Sequence, residues 1–467
     1  MHLFFYVFLL CIFAINLSAQ NQTKTVTPVK PSALLPFQIS VETADFSLPV
    51  GLQTFVFATY QNKCLILAGR TNGLHDFSNT NDNFPPKKQN TTVYVVDFQN
   101  EITYERSLFD ETADLTQKQI DILSVTAAEF VQVKDTLYMV GGYGVDTLTG
   151  EFSTKSTLTV IDIPGLIAWV EGSGGTAAEN MKQTSHPILQ VTGGALKKTD
   201  PLSPFLLIFG QNFQGFYHDS SNGVYTEEVR PFYLLETGKD LFVVPLPPQG
   251  KKNTYRRRDL NIISITQKKG KNYEEAYVAL SGVFTLSGGI WTVPVLIDGK
   301  GSSHMLNPTK KETLRQGMNN YDCPHIGLFA KKTNEMHTLL LGGMGYIALE
   351  NGTFVEDAEI PFSNSITDIC IDRKGNFSQY LMESEYPVIL STFSNPGNPL
   401  LFGAGARFIQ MDNLPIFPNG VISLDDVTDG TILGYVIGGI QSTVPNTTSF
   451  SDSAASPYIF RVQIEKR

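Results

Sequence analysis

The amino-acid sequence predicts an all-β fold, a six-bladed β-propeller of four-stranded antiparallel blades. Its apolar segments are short and rich in Val, Ile, Phe and Tyr, and Gly, Pro, Asn and Asp separate them, which is typical of strands joined by turns. Recurrence at a near-constant spacing indicates a repeat fold in which each repeat forms one blade. Six apolar runs end in glycine in this way, with their last glycines at Gly69, Gly142, Gly210, Gly282, Gly343 and Gly439.

The second unit shows how one repeat would build a blade. Residues 127–133, 137–142 and 156–162 are expected to form its first three strands, and residues 168–171 its fourth. The same order of apolar segments recurs around residues 53–106, 189–245, 261–296 and 325–381. The best helix candidate in the sequence lies at residues 110–122.

The sixth unit supplies only three strand candidates, residues 420–425, 435–439 and 458–464. Residues 37–41 have no partner in the first unit and are expected to add the missing outer strand. This pairing would close the propeller and remove an open sheet edge, which otherwise promotes aggregation. Residues 36–467 are therefore expected to form one propeller domain, after a linker at residues 20–35.

The first residues have the pattern of an export signal. Residues 3–15 are almost wholly apolar and small residues follow at positions 16–19, so residues 1–19 are predicted to be a cleaved signal peptide. This run is too short to span a membrane, and no later run approaches the necessary length. We therefore expect a secreted or periplasmic monomer without a membrane anchor.

Net charge limits the possible partners, and the cysteine content limits the possible disulfides. The chain has 35 Lys and Arg against 45 Asp and Glu, a formal net charge of −10, which argues against nucleic acid as a partner. A basic stretch between residues 251 and 271 is interpreted as a solvated loop, with an anionic ligand as the alternative. After cleavage three cysteines remain; Cys64 is predicted to be a core residue, whereas pairing of Cys323 with Cys370 is left open.

The second strand of each unit, which ends in an apolar run and glycine, resembles the Kelch repeat. Several segments are also similar to a family of secreted bacterial Kelch-like proteins common in Bacteroidetes and related marine lineages. These segments are residues 69–75, 135–144, 190–194, 225–230, 257–261 and 317–323. The resemblance implies a Kelch-like six-bladed propeller that is exported, and it implies no activity because no reaction is assigned to that family.

A Kelch-like blade would place two kinds of connection on one face, namely the loop after its second strand and the link to the next blade. Polar residues in those connections are expected to converge at one mouth of the central channel. A mouth lined by several Arg and Asn side chains suits a carboxylate, a sulfate or a sugar. The candidate binding residues are Arg70, Asn72, His75, Asn212, Arg257, Asp259, Asn319, Asn320, Tyr321, Asp322 and Arg407.

A purely structural interpretation competes for several of these residues. Arg and Asp at blade junctions can form ion pairs or bind loop backbone whatever the function, because buried charges need partners. Arg256 and Arg258 are expected to point outward on either side of Arg257, since neighbouring side chains of an extended segment face opposite ways. Asn72, which precedes a glycine, also fits a turn.

The sequence contains little that predicts catalysis or a cofactor. It has neither the spaced histidines of a zinc site nor a Gly-x-Ser-x-Gly nucleophile motif. Tyr321, Cys323 and His325 alternate, and copper radical oxidases with a Kelch-like propeller use a Tyr–Cys crosslink with histidine ligands. Pro324 interrupts that strand, however, so a buried cysteine beside a hydrogen-bonded tyrosine is preferred. No cofactor and no metal are expected.

Two functional hypotheses follow, together with a structural one. The preferred hypothesis is a non-catalytic propeller that binds a glycan, a peptide or a partner protein through the Arg/Asn-lined face. The alternative is an enzyme acting on a carbohydrate or sugar acid at the same face, since Kelch-like propellers also serve as sialic acid epimerases and lyases. A third is an assembly part with an exposed apolar patch. Finding His75, Tyr321 or Asp322 beside Arg257 in a deep cavity would favour the enzyme.

Overall fold

The chain is an all-β propeller with blades of four antiparallel strands. The computed structural model describes residues 26–76, 82–218, 223–238, 240–270, 272–350, 352–447 and 450–467. The predicted signal peptide, residues 1–19, lies outside the described residues. Within the predicted linker, Lys30–Pro31 runs parallel to Tyr380 and Leu381 at the edge of a sheet.

Six larger sheets occur among the described residues and are numbered here by their order in the chain; sheets 1 to 4 and sheet 6 have four strands each. Sheet 1 consists of Val56–Tyr60, Lys63–Leu67, Thr92–Asp97 and Ile102–Ser107. Sheet 2 consists of Glu129–Val133, Thr136–Val140, Thr157–Asp162 and Met181–Ser185. Sheet 3 consists of Ala195–Lys197, Phe205–Ile208, Val229–Thr237 and Asp240–Pro245. Sheet 4 consists of Asn261–Lys269, Asn272–Leu280, Val295–Asp298 and Ser303–Met305.

Sheet 5 has six strands, and its four central strands repeat the same antiparallel order. These central strands are His325–Ala330, Glu335–Met344, Phe362–Ile371 and Phe377–Glu385. A short parallel strand extends each side of this sheet, Lys30–Pro31 on one and Ile422–Ser423 on the other. The prediction that residues 420–425 form the first strand of the last unit is therefore wrong, because Ile422–Ser423 pairs with sheet 5.

Sheet 6 combines the two ends of the chain. Its strands are, in spatial order, Arg407–Gln410, Ile432–Ile437, Tyr458–Lys466 and Phe37–Ser47. Phe37 lies opposite Lys466 and Thr43 lies opposite Phe460, so the segment predicted as an outer strand does lie beside the last strand. Arg407–Gln410 takes the inner position that the sequence analysis assigned to residues 420–425.

Among the described residues, two α-helices lie outside the sheets. Helix α1, Gln117–Leu123, begins with a capping box in which Thr116 and Gln119 bond each other's backbone. It overlaps the predicted helical segment, residues 110–122, and ends one residue beyond it. Helix α2, Ile163–Val170, replaces the strand predicted at residues 168–171. The Asp162 carboxylate accepts a hydrogen bond from Gly165 N and a proline stands in the first turn, both of which favour a helix start.

Shorter elements fill the connections. Four two-stranded ribbons follow the second strands of sheets 2, 3, 5 and 6, namely Tyr143–Val145 with Phe152–Thr154, Gln211–Asn212 with Val224–Tyr225, Ile347–Glu350 with Thr353–Glu356, and Ile440–Ser442 with Ser453–Ala455. Single 3₁₀ turns lie at Ser32–Leu34, Pro86–Lys88, Glu111–Ala113, Ala178–Asn180, Pro187–Leu189, Asn253–Tyr255 and Phe450–Asp452. No helix among the described residues is long and apolar enough to cross a membrane.

The repeat glycines join neighbouring units. All six have left-handed backbone, with φ from +81° to +105°, a region that glycine adopts without steric cost. Five of them donate a hydrogen bond to a carbonyl just before the first strand of another unit: Gly69 to Val125, Gly142 to Val191, Gly210 to Arg257, Gly343 to Phe402, and Gly439 to Leu52. The last bond joins the sixth unit to the first.

A second repeated backbone feature occurs just before the first strand of each unit. Six residues there have φ between +40° and +68°: Thr54, Ala127, Gly193, Asp259, Asp322 and Gly405. We call this set the inner ring. Backbone hydrogen bonds link members of this set. The N–H of Gly193 donates to Ala127 O at 3.1 Å and that of Asp259 to Gly193 O at 2.7 Å. The N–H of Gly405 donates to Asp322 O at 2.7 Å and that of Thr54 to Gly405 O at 2.8 Å.

Apolar packing fills the space between the sheets. Consecutive sheets share clusters of buried side chains, illustrated by Leu65 with Met139, Val140 with Leu207, Leu206 with Ile262, Ile263 with Leu340, and Leu328 with Val436. Ile437 of sheet 6 and Ile66 of sheet 1 also belong to one cluster. Sheets packed face to face in this way bury apolar area on both sides, which is the main stabilising contribution to such a fold. Cys64, Cys323 and Cys370 are free and buried, so Cys323 and Cys370 are not paired.

Sheet 5 contains a buried ion pair that should make stability depend on pH. His337 Nδ1 lies 2.8 Å from Asp368 Oδ2, and Phe37 of the N-terminal strand packs edge-on against the imidazole. Burial opposes the charge on His337, but Asp368 outweighs it and raises the pKa of His337 to about 10. A histidine with a raised folded-state pKa stabilises the fold fully below its unfolded pKa of about 6.5.

We therefore expect the stabilisation from His337 to decline as pH rises from about 6.5 towards 10. Urea unfolding of the wild type and of His337→Gln across that range checks this expectation. The difference in unfolding free energy between the two proteins should be largest at the acidic end and shrink towards the alkaline end. A difference that stays constant over the range would contradict the ion-pair interpretation.

Candidate binding cavity

A cavity of about 630 Å³ lies against the inner ring. Its lining takes residues from the connections of all six sheets, at equivalent positions in each. One residue comes from just before the first strand: Gln53, Thr126, Thr192, Arg258, Tyr321 and Ala404. The other directly follows the repeat glycine: Arg70, Tyr143, Gln211, Val283, Met344 and Ile440. The cavity is therefore a product of the repeat, and its chemistry depends on which side chain each repeat places there.

Backbone pairing holds these two positions together. Isolated antiparallel bridges join Gln53 with Arg70, Thr126 with Tyr143, Thr192 with Gln211, Arg258 with Val283, and Tyr321 with Met344. In the sixth unit Ile440 N donates to Ala404 O at 2.7 Å. Each side chain at the cavity wall is thus fixed by a rigid backbone pair, which pre-organises the site.

Arg70 is the most isolated charge in this cavity. Its side chain is 2% exposed, Nε donates to Asn72 Oδ1 at 2.9 Å, and Nη2 donates to Pro85 O at 3.1 Å. The guanidinium also stacks on Phe84, 4.9 Å from the ring centre. No carboxylate among the described residues pairs with it, and burial lowers the pKa of Arg70 to about 10. Its positive charge is solvated by neutral groups alone, which is costly in a buried site.

Arg258, in contrast, is paired. Its Nη1 forms a short contact with the Asp259 carboxylate, and Nε donates to Tyr225 Oη at 3.2 Å. Burial opposes its charge, but Asp259 and the neighbouring tyrosines raise the pKa of Arg258 above its usual range. Arg258 is therefore a cation whose charge is largely balanced by Asp259.

Two carboxylates of the inner ring, those of Asp259 and Asp322, line the cavity. Asp322 Oδ1 accepts a hydrogen bond from Arg407 Nη1 at 2.8 Å. Burial raises the pKa of Asp259; Arg258 opposes that rise and Asp322 adds to it. Burial likewise raises the pKa of the Tyr321 hydroxyl above its usual range. The remaining carboxylate of the lining, Glu359, is solvent-exposed. Because Asp259 pairs with Arg258 and Asp322 pairs with Arg407, Arg70 is the unbalanced buried charge of the lining.

His75 lies in an aromatic cluster at the cavity wall. Its ring centre is 4.7 Å from that of Tyr217 and 5.3 Å from that of Phe84. Tyr143 and Phe213 complete the cluster, with centres 5.5 Å apart. The cluster joins three long loops, those after the second strands of sheets 1, 2 and 3, so packing between loops shapes this wall.

The His75 imidazole is expected to stay neutral at ordinary pH. Burial lowers its pKa to about 4; a contact with the Asp76 carbonyl opposes this, and Arg258 and Arg70 add repulsion. An NMR titration, with the His75 signal assigned by comparison with His75→Gln, should give a midpoint near pH 4. A midpoint near the ordinary value of about 6.5 would show that the imidazole is solvated.

A second part of the cavity lining, which we call the aliphatic wall, is aliphatic. Leu74, Met344 and Ile440 belong to one apolar cluster, with Ile360 packed against it, and all four line the cavity. Polar neutral side chains occur mainly next to the inner ring. The cavity therefore combines charged groups near the ring with two apolar walls, the arrangement common to small-molecule sites.

Six of the eleven residues predicted from the sequence line this cavity: Arg70, Asn72, His75, Asp259, Tyr321 and Asp322. The other five do not. Asn212 donates to Gln190 Oε1, Asn319 donates to Ile290 O, and Asn320 donates to Gly342 O. Arg407 does not line the cavity but donates a hydrogen bond to Asp322, which does. These three asparagines bind neighbouring segments of the protein and do not line the cavity.

Neither Arg257 nor Arg258 lies where the sequence predicts. Arg257 is 0% exposed and its guanidinium donates to Ser281 O and Val293 O at 3.2 and 2.8 Å, stacked on Trp291. Arg258, expected to point outward, faces the cavity instead. The predicted directions are wrong because Arg258 pairs with Val283 at the cavity, whereas the Arg257 guanidinium bonds carbonyls outside the cavity lining. His75, Tyr321 and Asp322 thus share the cavity with Arg258, not with Arg257.

The aromatic and aliphatic walls were not predicted. The residue after each repeat glycine was visible in the sequence, and that position contributes Tyr143, Met344 and Ile440. Phe84, Phe213 and Tyr217 come from irregular loop segments, where no periodic pattern marks them.

The alternating residues Tyr321, Cys323 and His325 do not share one site. Tyr321 lines the cavity, whereas Cys323 is buried beside Asn261, whose Oδ1 accepts the Cys323 N–H at 3.1 Å. Among the described residues, no group of three or more His, Cys, Asp or Glu side chains is placed to hold a metal ion.

Comparisons with known proteins add little to this geometry. No protein-family model and no curated protein matches the sequence. Among solved structures, one described as "Structure of YjhT" aligns with 90% of this chain and 99% of its own chain, at 11% sequence identity and a TM-score of 0.45. A likeness at this level carries nothing about ligand or reaction. The Kelch-type character and the family resemblance stay predictions.

Proposed function

We propose that this protein is a binding propeller whose cavity takes a small ligand, or the end of a longer one, carrying one anionic group. Arg70 supports the proposal most directly. A nearly buried guanidinium without a carboxylate partner is unfavourable in an empty site, and an anionic ligand would balance it with a charge-assisted hydrogen bond. The remaining buried charges of the cavity form pairs and need no ligand.

We also infer the finer architecture that this proposal assumes. The four central strands of sheet 5 count as a sixth blade, and the blades form a closed, Kelch-like ring. The bonds from Gly439 to Leu52 and from Thr54 to Gly405 support closure, as does the apolar cluster shared by sheets 6 and 1. A closed ring holds residues from distant units at one opening. Secretion as a monomer, after removal of residues 1–19, belongs to the same proposal.

A ligand screen tests the anionic requirement. Mature protein is examined by thermal shift and then by calorimetry against carboxylic acids, their neutral amides, sulfated and neutral glycans, and short peptides. Acids should bind and their amides should bind at least roughly tenfold more weakly, because the amide cannot balance Arg70. Neutral glycans or amides that bind as tightly as acids would overturn the proposal, as would an absence of binding by every acid at millimolar concentration.

One observation favours the enzymatic alternative, a carbohydrate- or sugar-acid-active epimerase or lyase at the same cavity. The pKa of Asp259 is raised by burial and by Asp322, and a carboxyl with a raised pKa beside a bound ligand can act as a general acid or base. NMR of uronic and other sugar acids incubated with the wild type and with Asp259→Asn distinguishes the two roles. Turnover that requires Asp259 supports the enzyme; unchanged sugar acids support binding alone.

A further inference from the structure

The polar side chains that line the cavity are mostly engaged within the protein. Gln53 Nε2 donates to Asn72 O and Gly73 O, each at 3.0 Å, and the Thr54 and Thr126 hydroxyls bond each other at 2.5 Å. Thr192 Oγ1 donates to Ala127 O at 3.0 Å. These bonds fix the connections around the inner ring, so these groups are committed to the fold before any ligand arrives.

The apolar part of the lining, in contrast, offers surface that a ligand can cover. The aromatic wall presents Phe84, Tyr143, Phe213 and Tyr217, and the aliphatic wall presents Leu74, Met344, Ile360 and Ile440. A ligand between these walls gains most by removing apolar surface from water. A polyhydroxylated body would lose its own hydration there and find few free partners in return.

Resting on the proposed function, we infer that the ligand is an amphipathic organic acid, one carboxylate on a predominantly apolar, ring-bearing body, and not a sugar acid. The carboxylate would lie at Arg70 and the ring between the aromatic and aliphatic walls. Aromatic rings stack on Phe and Tyr with favourable geometry, whereas aliphatic carbons pack against either wall.

Calorimetry with four matched probes tests this class. Indole-3-acetate is an apolar acid and indole-3-acetamide its neutral counterpart; D-glucuronate is a polar acid and D-glucose its neutral counterpart. Indole-3-acetate should bind at least roughly tenfold more tightly than D-glucuronate, in proportion to the apolar area it buries. Naphthalene-2-acetate, with a larger apolar ring, should bind at least as tightly as indole-3-acetate.

The outcomes separate this inference from the proposed function. If D-glucuronate binds as tightly as the apolar acids, and its binding needs its charge, the amphipathic class is wrong and the anionic site stands. If neither kind of acid binds, both proposals fail. If the indole amide binds as well as the acid, the apolar walls bind ligand without the charge, which overturns the anionic site and the amphipathic class together.

A variant pair locates the effect in the aliphatic wall. Met344→Gln keeps the length of the side chain and makes it polar, so affinity for indole-3-acetate should fall roughly tenfold while the preference for acid over amide stays unchanged. Met411→Gln, at a half-buried methionine outside this cavity, should leave affinity unchanged. If Met344→Gln does not fold, Leu74→Gln replaces it. Equal affinity in the cavity variant and the wild type would overturn the assignment of the wall.

Discussion

Replacing Arg70 by methionine should abolish most anion binding while leaving the fold intact. Methionine keeps the apolar stem against Phe84 but removes the charge and its hydrogen-bond donors. Loss of one partner of a buried charge pair costs about 2–5 kcal/mol, so affinity for a bound acid should fall roughly 30-fold or more. Calorimetry with the best acid of the ligand screen measures this change.

Stability distinguishes a binding role for Arg70 from a structural one. Removing an unbalanced buried charge relieves its desolvation cost but leaves Asn72 Oδ1 and Pro85 O without a donor, so the two effects oppose each other. We expect the unfolding free energy of the ligand-free protein to change by less than about 2 kcal/mol. A much larger loss would mean that Arg70 serves the fold first.

Two further arginine variants complete this test. Arg373→Met, at an exposed turn, should alter neither affinity nor stability. Arg70→Lys keeps the charge without the planar fork, and it should bind with intermediate affinity. An Arg70→Lys variant as inactive as Arg70→Met would show that the hydrogen-bond geometry, and not the charge alone, determines binding.

Gly438→Ala should destabilise the propeller strongly, because it acts where the last unit meets the first. Gly438 has φ of +65°, and a Cβ built there would lie 2.3 Å from Leu52 O. That carbonyl already accepts the Gly439 N–H at 2.8 Å. Left-handed backbone costs alanine about 1–2 kcal/mol, and displacing the carbonyl adds to this. We expect a loss of about 3 kcal/mol or more in unfolding free energy, measured by urea unfolding.

Gly375→Ala is the matched control for this contact between the last unit and the first. Gly375 has φ of +83°, yet a Cβ there would meet nothing within 4 Å, so only the backbone preference is lost. Ala68 occupies the position equivalent to Gly438 in the first unit with φ of +61°, which shows that alanine is accepted where space allows. Equal losses in Gly438→Ala and Gly375→Ala would contradict the importance of contact between the ends of the chain.

The sequence was informative wherever a residue type is required by the backbone. The repeat glycines predicted the second strands and the spacing of the units, because left-handed φ at a tight junction is a local requirement. The prediction failed where local patterns compete. Residues 168–171 read as a strand from their composition, but Asp162 and the following proline begin a helix before them. Residues 420–425 read as an inner strand, although a parallel pairing with sheet 5 holds Ile422–Ser423.

The candidate site was likewise predictable from the sequence only in part. The glycine-ending runs predicted a repeat of strands, and with it the two connections per unit that supply cavity residues. Which arginine faces the cavity depends on contacts between distant segments: Arg258 pairs with Val283 at the cavity, whereas Arg257 donates to carbonyls of Ser281 and Val293. Only the tertiary structure brought Phe84, Tyr143 and Tyr217 into one wall, since contacts between distant loops leave no periodic trace in the sequence.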